Sequence, residues 1–527
     1  MKIFIADSLS EKGMAVFQGE KGIQADLKPG LKPEEIIKLI GDYDAIVVRS
    51  GTTVTEAIIE AGKKLKVIGR AGVGLDNVDV PAATRRGIIV MNVPGGNTIS
   101  TAEHTMSLLL SMTRNIPQAF NSLKSGKWDR KKFTGAELNG KTLGIIGLGR
   151  IGMEVCKRAQ AFGMQIIGYD PFVGAERTEQ MGVKMAELKD LIAKSDYITV
   201  HVPLTKETKA LIGPEEFKLM KKNVRLVNCA RGGIYDEKAL YENLKSGKVA
   251  AAVMDVFEEE PPPKDHPLLT LDNFIATPHL GAATKEAQEQ VAVEMAYQIV
   301  DALKGKTVRN ACNIPSVDPE VLNIIQPYLT LGEKLGRLQS QLVEGRIEEL
   351  QIRYSGDVSN HNVAPITIAI IKGFLEPILT ESINYVNAPF IAKERGIRVV
   401  ESKSSEVQDY ATLITLSAKM DGKEQSVSGT IFGKSESRIV VINDYRIDFA
   451  PEGYILILSN DDVPGIVGNV GTLLGKHKVN IAGMALGRNV KGGKALTGIN
   501  VDDDIPEKTL AELRKLPHIL EAKLVKL

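Results

Sequence analysis

Leu143-Gly144-Ile145-Ile146-Gly147-Leu148-Gly149-Arg150-Ile151-Gly152 decides the fold. Thr142–Ile146 reads as a strand, and from Ile151 to Phe162 apolar residues return at helical spacing, so a Gly-x-Gly-x-x-Gly falls between a strand and a helix. At such a junction Gly147 permits a tight turn, Gly149 lets backbone approach a pyrophosphate, and Gly152 lets helix and strand pack closely. The helix start, at Arg150 and Ile151, offers N–H donors and positive potential. The next run, Gln165–Tyr169, ends at Asp170, on the order of 20 residues further on, where this turn wants an acid. A carboxylate there accepts the ribose diol and repels a 2′-phosphate. Pro171-Phe172 follows rather than an arginine, which favours NAD over NADP.

Outward from this motif the chain alternates strands and helices. Beyond it, Tyr197–Val202, Arg225–Cys229, Ala251–Val256 and Asn273–Ala276 are β-like, with a helix at Glu237–Lys245. Before it, Lys2–Asp7, Ala45–Arg49, Val67–Arg70 and Ile88–Asn92 read as strands, with helices at Glu34–Ile40 and Glu56–Ala61. Such alternation predicts two doubly wound parallel sheets of Rossmann type. A helical stretch at Ile99–Met112 leaves the first unit. The helix Lys285–Leu303 has no following strand, so it is expected to return to that unit, and the two crossovers bracket a cleft. The expected units are 1–97 with 285–310 for the substrate, 98–284 for the dinucleotide, an α+β unit over 311–450 and a last unit over 453–527. Residues 311–450 combine a helix near Glu320–Val343 with β-rich stretches such as Arg438–Ile447. The last unit reads β-α-β-β-α-β: Tyr454–Ser459, Pro464–Lys476, Ile481–Gly487, Ala495–Val501, Glu507–Lys515 and Leu520–Val525, a ferredoxin-like order.

Arg231, Glu260 and His279 each follow a strand of the second unit, in Asn228-Cys229-Ala230-Arg231-Gly232-Gly233, Asp255-Val256-Phe257-Glu258-Glu259-Glu260-Pro261 and Thr277-Pro278-His279-Leu280-Gly281. Loops at the carboxyl ends of parallel strands line the ligand crevice, so the three can converge beside a nicotinamide. Oxidising an alcohol requires a base for the hydroxyl proton, and an imidazole, with an ordinary pKa near 6.5, can take it and return it. A neighbouring glutamate favours the imidazolium and fixes the tautomer. A guanidinium holds a carboxylate by paired hydrogen bonds.

These segments together with Gly147–Gly152 resemble the signature motifs of the D-2-hydroxyacid dehydrogenase family, over about residues 1–310. The resemblance implies substrate and oxyanion binding by Arg231, pKa tuning by Glu260 before proline, and acid–base work by His279. It also places Val202 and Pro203 (in Val200-His201-Val202-Pro203-Leu204), Cys229, Ala230, Asp255 and Gly281 beside the cofactor. His201 is not expected to be catalytic, and His104, His266, His361, His477 and His518 are read as structural.

Arg49, in Val48-Arg49-Ser50-Gly51-Thr52, and Arg70, in Gly69-Arg70-Ala71-Gly72-Val73-Gly74, end strands of the first unit and face the expected cleft. One carboxylate needs one clamp; two further arginines beside donor-rich backbone (Ser50, Ala71, Gly72) suit a second anion such as phosphate. With Gly74-Leu75-Asp76-Asn77-Val78-Asp79, these segments resemble the branch of the family that oxidises 3-phospho-D-glycerate to 3-phosphooxypyruvate, the opening step of L-serine synthesis. That branch brings a basic residue from a neighbouring subunit. Trp128-Asp129-Arg130-Lys131-Lys132 looks like its source, with Arg130 the candidate, which requires at least a homodimer; a homotetramer is expected.

Asn460-Asp461-Asp462-Val463-Pro464-Gly465-Ile466-Val467-Gly468, followed by Asn480-Ile481-Ala482, resembles an ACT regulatory domain, and 311–450 resembles the intervening domain of the long-form branch. The resemblance makes Asn460, Asp462 and Asn480 candidate ligands of an L-serine effector. Two other readings stay open: a glyoxylate, hydroxypyruvate or D-lactate reductase of the same family, and a dinucleotide-sensing, co-repressor-like binding protein.

Composition bounds the rest. At 527 residues the chain exceeds a single core, which stops growing near ~250–300 residues. A formal net charge of +1 gives no sign of a nucleic-acid partner. Cys156, Cys229 and Cys312 lie far apart without metal or redox spacing, so no metal and no disulfide framework are expected. The short start Met1–Asp7 reads as a strand rather than a signal peptide, and no run of about 18 apolar residues occurs, so no membrane span and a cytoplasmic protein are expected.

Overall fold

In the computed structural model the described residues are 1–174, 178, 181–306, 308–315, 317, 319–406, 409–420 and 422–527. They form four sheets.

The first sheet comprises β1 (Lys2–Ile5), β2 (Gln24–Leu27), β3 (Ala45–Val48), β4 (Val67–Arg70) and β5 (Ile89–Met91), in the order β2-β1-β3-β4-β5, all parallel. Successive side chains of a strand point to opposite faces, and both faces of β1 are apolar. Phe4 joins Ile36, Ile46, Ile58 and Ala82 under three helices on one side. Ile3 and Ile5 join Phe17, Val47 and Val67 on the other. That second core is closed by Val291, Met295 and Ile299 of the helix Lys285–Leu303. Close approach is possible because β4 carries Gly69: a Cβ there would sit 2.5 Å from Met295 Sδ.

The second sheet comprises β6 (Thr142–Ile146), β7 (Gln165–Tyr169), β8 (Lys184–Met185), β9 (Tyr197–Val200), β10 (Val224–Asn228), β11 (Val249–Met254) and β12 (Phe274–Ala276). Its order is β12-β11-β10-β9-β6-β7-β8, all parallel. The chain turns in opposite directions on either side of β6, so the loop at Gly147 lies at the switch point where open α/β sheets bind ligands. The helix Thr98–Thr113 links the two sheets and buries Ala102, Leu109 and Met112 against Leu143, Ile145 and Val253.

The third sheet is mixed. Its strands are β13 (Ile347–Gly356), β14 (Arg398–Ser404), β15 (Thr412–Met420), β16 (Lys423–Phe432), β17 (Glu436–Ile442) and β18 (Tyr445–Phe449), in the order β14-β13-β15-β16-β17-β18. The helices Pro319–Leu342 and Ala364–Leu375 cover it with Leu331, Leu335, Ile366, Ile370 and Phe374. The β-rich stretch Arg438–Ile447 spans two antiparallel strands, because Asn443 takes a left-handed φ of 52° and turns the chain back.

The fourth sheet, β19 (Tyr454–Asp461), β20 (Ile481–Arg488), β21 (Lys494–Val501) and β22 (Ile519–Lys526), is antiparallel in the order β20-β21-β19-β22. It carries the helices Ile466–Lys476 and Glu507–Leu513. The first of these starts at Ile466, two residues later than read, because Gly465 (φ 95°) still belongs to the turn. Ile455, Ile457, Leu496 and Val525 belong to the same core as the third sheet, so the last two units pack together. No helix among the described residues is long and apolar enough to cross a membrane.

Candidate active site

A cavity of about 880 Å³ opens between the carboxyl ends of the first two sheets, within the size range of ~300–1,000 Å³ usual for ligand sites. Arg49, Ser50, Arg70, Ala71 and Gly72 line it from the first sheet; Arg231, Asp255, Glu260 and His279 line it from the second.

His279 Nδ1 pairs with Glu260 Oε2 at 2.7 Å, which leaves Nε2 for a substrate. Glu260 Oε1 accepts the Phe257 N–H at 3.0 Å. Burial pushes the Glu260 carboxyl up, but the His279 hydrogen bond, the Phe257 amide and the charges of His279 and Arg231 together hold it below the ordinary carboxylate value. His279 itself has a left-handed φ of 54°, which few non-glycine residues adopt. The loop around it is wrapped on Asp255, which is 1% exposed. Asp255 accepts from the Thr277 hydroxyl (2.5 Å), Leu280 N (2.8 Å) and Gly281 N (2.8 Å), while its own carbonyl accepts His279 N (2.9 Å). His104, read as merely structural, lies with Nε2 3.1 Å from Asp255 Oδ1.

Arg231 is aimed by Asn228, whose side chain donates to the Arg231 carbonyl (2.8 Å) and accepts Ala230 N (2.9 Å). The guanidinium donates to the Ala230 carbonyl (2.7 Å) and, across the cleft, to Asp76 Oδ2 (3.1 Å). On the first sheet Asp7 gathers the Arg49–Thr52 loop by accepting Arg49 N (2.5 Å), Thr52 N (3.1 Å) and the Thr52 hydroxyl (2.9 Å). Asn77 ties the same loop at the Arg49 and Thr52 carbonyls (2.5 and 2.6 Å). Burial pushes Arg70 down to about 10, helped by the charges of Arg231 and Arg49 and opposed by Asp76 and Asp7. Its Nε is buried without a hydrogen-bond partner among the described residues. Three guanidinium groups around one cavity repel one another, and an anion relieves that.

The glycine loop fits a dinucleotide. Gly147 has φ 94°, and a Cβ there would meet the His201 carbonyl at 2.5 Å; one at Gly152 would meet the Gly147 carbonyl at 2.0 Å. A Cβ at Gly149 would meet nothing within 4 Å and would instead fill the open cradle in front of the helix Arg150–Ala161, whose first turn has no side-chain cap. Val202 packs on the same turn, its Cγ1 2.8 Å from where a Cβ on Gly147 would stand, with Pro203 following it in the loop after β9. Asp170 Oδ2 accepts Leu148 N at 2.9 Å, holding the end of β7 against the loop. Burial pushes His201 down to about 4, so it stays neutral, and pushes the Cys229 thiol up to about 12, so it is no nucleophile.

Four further expected residues have different settings. Arg130, in the exposed turn Arg130–Phe133, does not line the cavity of its own chain. Asn460 is 2% exposed and accepts from Thr497 (3.3 Å), Asp462 pairs with Arg488 (3.0 Å), and Asn480 donates to Asp502 (2.7 Å). Each thus has a partner within its own chain.

The fold and cleft define a class: two nucleotide-type sheets with an arginine, a glutamate and a histidine at their junction make a dehydrogenase acting on 2-hydroxy acids. Residues 106–281 match the family model "D-isomer specific 2-hydroxyacid dehydrogenase, NAD binding domain", so the cofactor is NAD. Among solved structures, a D-lactate dehydrogenase from Aquifex aeolicus complexed with NAD and lactic acid has 30% identity and a TM-score of 0.52, covering 58% of this chain and 96% of its own. A glyoxylate reductase from Paecilomyes thermophila has 31% identity and a TM-score of 0.55, covering 61% and 99%.

The remaining length settles the particular family. Residues 324–443 match the D-3-phosphoglycerate dehydrogenase intervening domain and 454–518 the ACT domain. D-3-phosphoglycerate dehydrogenases of Archaeoglobus fulgidus and Methanocaldococcus jannaschii are 49% and 48% identical, each covering 100% of both chains. The chain belongs to the D-3-phosphoglycerate dehydrogenase family.

Proposed function

We propose that this chain oxidises 3-phospho-D-glycerate to 3-phosphooxypyruvate with NAD, the first step of L-serine biosynthesis. The observation that carries it is the cluster of Arg49, Arg70 and Arg231 in the cavity that holds the His279–Glu260 pair. In this reading Arg231 holds the carboxylate, Arg49 and Arg70 with the Ser50, Ala71 and Gly72 backbone hold the phosphate, and His279 Nε2 takes the hydroxyl proton. Bound NAD supplies the acceptor for the hydride leaving the same carbon. Glu260 stabilises the resulting imidazolium. Asp170 and the Gly147–Gly152 turn hold the dinucleotide. Residues 1–97 with 285–310 then form the substrate unit and 98–284 the NAD unit.

The assembly is a homodimer or a homotetramer in a cytoplasmic setting. Supporting this, the helix Ile116–Lys124 exposes Ile116, Phe120 and Leu123 at helical spacing, with Trp128 76% exposed beside it. Contiguous apolar surface of this kind marks an interface, and it lies next to Arg130, the side chain that would enter a neighbour's cleft. The ACT domain makes ligand regulation part of the reading, with L-serine as effector at the β19 loop and the start of β20.

The test is NADH formation from 3-phosphoglycerate, D-lactate and D-glycerate, with and without serine. Preference for the unphosphorylated acids refutes the substrate assignment, and an unchanged rate with serine refutes the effector.

A further inference from the structure

The helix Thr98–Thr113 faces the Thr277–Gly281 loop with Thr101 and His104, one turn apart. Thr101 Oγ1 donates to the Gly281 carbonyl at 3.2 Å. His104 Nε2 lies 3.1 Å from Asp255 Oδ1 and 3.3 Å from Thr277 Oγ1. A carboxylate can only accept, so Nε2 is the nitrogen that carries hydrogen, shared between the two oxygens. One helix therefore holds both ends of the loop that bears His279.

Holding matters here because of the backbone. His279 sits in a left-handed conformation (φ 54°) that a non-glycine residue keeps only when its surroundings impose it. Four of the imposing contacts run through Asp255: its carbonyl takes His279 N, and its carboxylate takes Thr277, Leu280 and Gly281. A carboxylate this buried stays charged only with donors around it. Three of those donors belong to the loop itself; His104 brings the fourth from a different element.

We propose that His104 is a positioning residue for the reaction. It does not touch the substrate; it fixes Asp255 and Thr277, and through them the place of the His279 imidazole. The inference rests on the reading that His279 exchanges the substrate proton. The arginines that would bind substrate stand on other loops, so a slack base slows turnover without loosening the substrate.

The test uses the full-length chain with His104→Ala, His104→Asn and His104→Gln, each measured with ordinary and C2-deuterated 3-phosphoglycerate. Gln places an amide nitrogen near the position of Nε2; Asn, one methylene shorter, does not reach. The expected result is a kcat lowered about ten-fold or more in the Ala and Asn variants, with KM within about threefold of wild type and a larger deuterium effect on kcat, and with Gln restoring most of the rate. If the Ala variant does not fold, Gln against Asn carries the same comparison. A kcat in the Ala and Asn variants within about twofold of wild type overturns the proposal, as does a Gln variant no faster than Asn. Failure of the wild-type chain to oxidise 3-phosphoglycerate refutes the functional reading instead, and the variants are then compared on the hydroxy acid it does oxidise.

Discussion

Gly74→Ala is a one-carbon change that tests the cleft directly. A Cβ at residue 74 would stand 2.0 Å from Arg231 Nη2 and 2.6 Å from Asp76 Oδ2, whereas ordinary contact begins at 3.4 Å. The guanidinium must therefore retreat by roughly 1.4 Å, and it is already tied through Nη1 to the Ala230 carbonyl at 2.7 Å. Either that bond and the Asp76 pair break, or the cleft opens, since Gly74 belongs to the first sheet's loops and Arg231 to the second's. Hydrogen bonds to a charged group contribute about 1.5–3 kcal/mol each, and a ~1 Å misplacement of a reacting group costs on the order of 100-fold in rate. The expected outcome is a kcat/KM for phosphoglycerate lowered about 100-fold. NADH affinity, read by fluorescence titration, stays unchanged because the added Cβ presses on Arg231 and Asp76 and not on the Gly147 turn. A Gly74→Ala enzyme with wild-type kcat/KM would refute the placement of Arg231 over that loop.

Arg70→Ala is expected to lower kcat/KM for phosphoglycerate on the order of 100-fold, and for D-glycerate by less than about threefold, because the phosphate loses its charge-assisted donors; equal losses on both substrates remove Arg70 from phosphate binding. Met295→Ala, at a fully buried position against Gly69, is expected to lower unfolding free energy by about 2–5 kcal/mol in urea titration, and a loss under about 1 kcal/mol means that the helix is not seated on the first sheet. Asp255 gives a pH signature. Burial raises its pKa, but His104, Thr277 and Leu280 together hold it below the ordinary 3.8. A pKa lower folded than unfolded means that the unfolded chain binds the proton first, so this stability is present above 3.8 and is lost as pH falls through the folded value. Urea midpoints measured from neutral pH into acid should fall less steeply for Asp255→Asn than for wild type, and parallel slopes rule the linkage out.

Much of the first two sheets is legible because a strand buried on both faces is apolar throughout, as Ala45–Val48 is, or nearly so, as in Tyr197–Val200 with its one Thr199. The strand Gln24–Leu27 escapes the same reading: it is an edge strand, half-exposed and largely polar, and only its pairing with Lys2–Ile5 makes it β. The β-rich stretch Arg438–Ile447 divides at Asn443-Asp444, a turn signal inside it. In the cleft, Arg231, Glu260 and His279 stand out because each follows a strand in a distinctive loop. Asp7, Asn77 and Asn228 do not, because an isolated polar residue in a loop or at the end of an element is ordinarily solvated, and neither does His104, a lone polar side chain within a helix. For Asp7, Asn228 and Asp255 a usable signal exists: each is a polar residue closing an apolar strand at its carboxyl end, where unpaired loop amides need an acceptor. Asn460 marks the limit of that signal, since it also closes an apolar strand, yet its side chain turns inward to Thr497.

The distribution of charge across the cleft explains why closure and binding belong together. Arg231 hangs from the second sheet and its Nε pairs with Asp76 of the first, so this bridge exists only while the two halves are near each other. Yet the same closed arrangement crowds Arg231, Arg70 and Arg49, and Arg70 is pushed down to about 10 by burial and by its two neighbours. Asp76 and Asp7 act the other way on Arg70, but do not offset its burial and the two neighbouring guanidinium groups. In the proposed reading a ligand with negative groups at both ends does so: one end answers Arg231, the other Arg49 and Arg70, and each neutralisation removes a repulsion. A monocarboxylate answers only the first. The preference for a phosphorylated hydroxy acid therefore rests on the whole cleft rather than on one contact, since the second anionic group stabilises the arrangement in which His279 meets the hydroxyl.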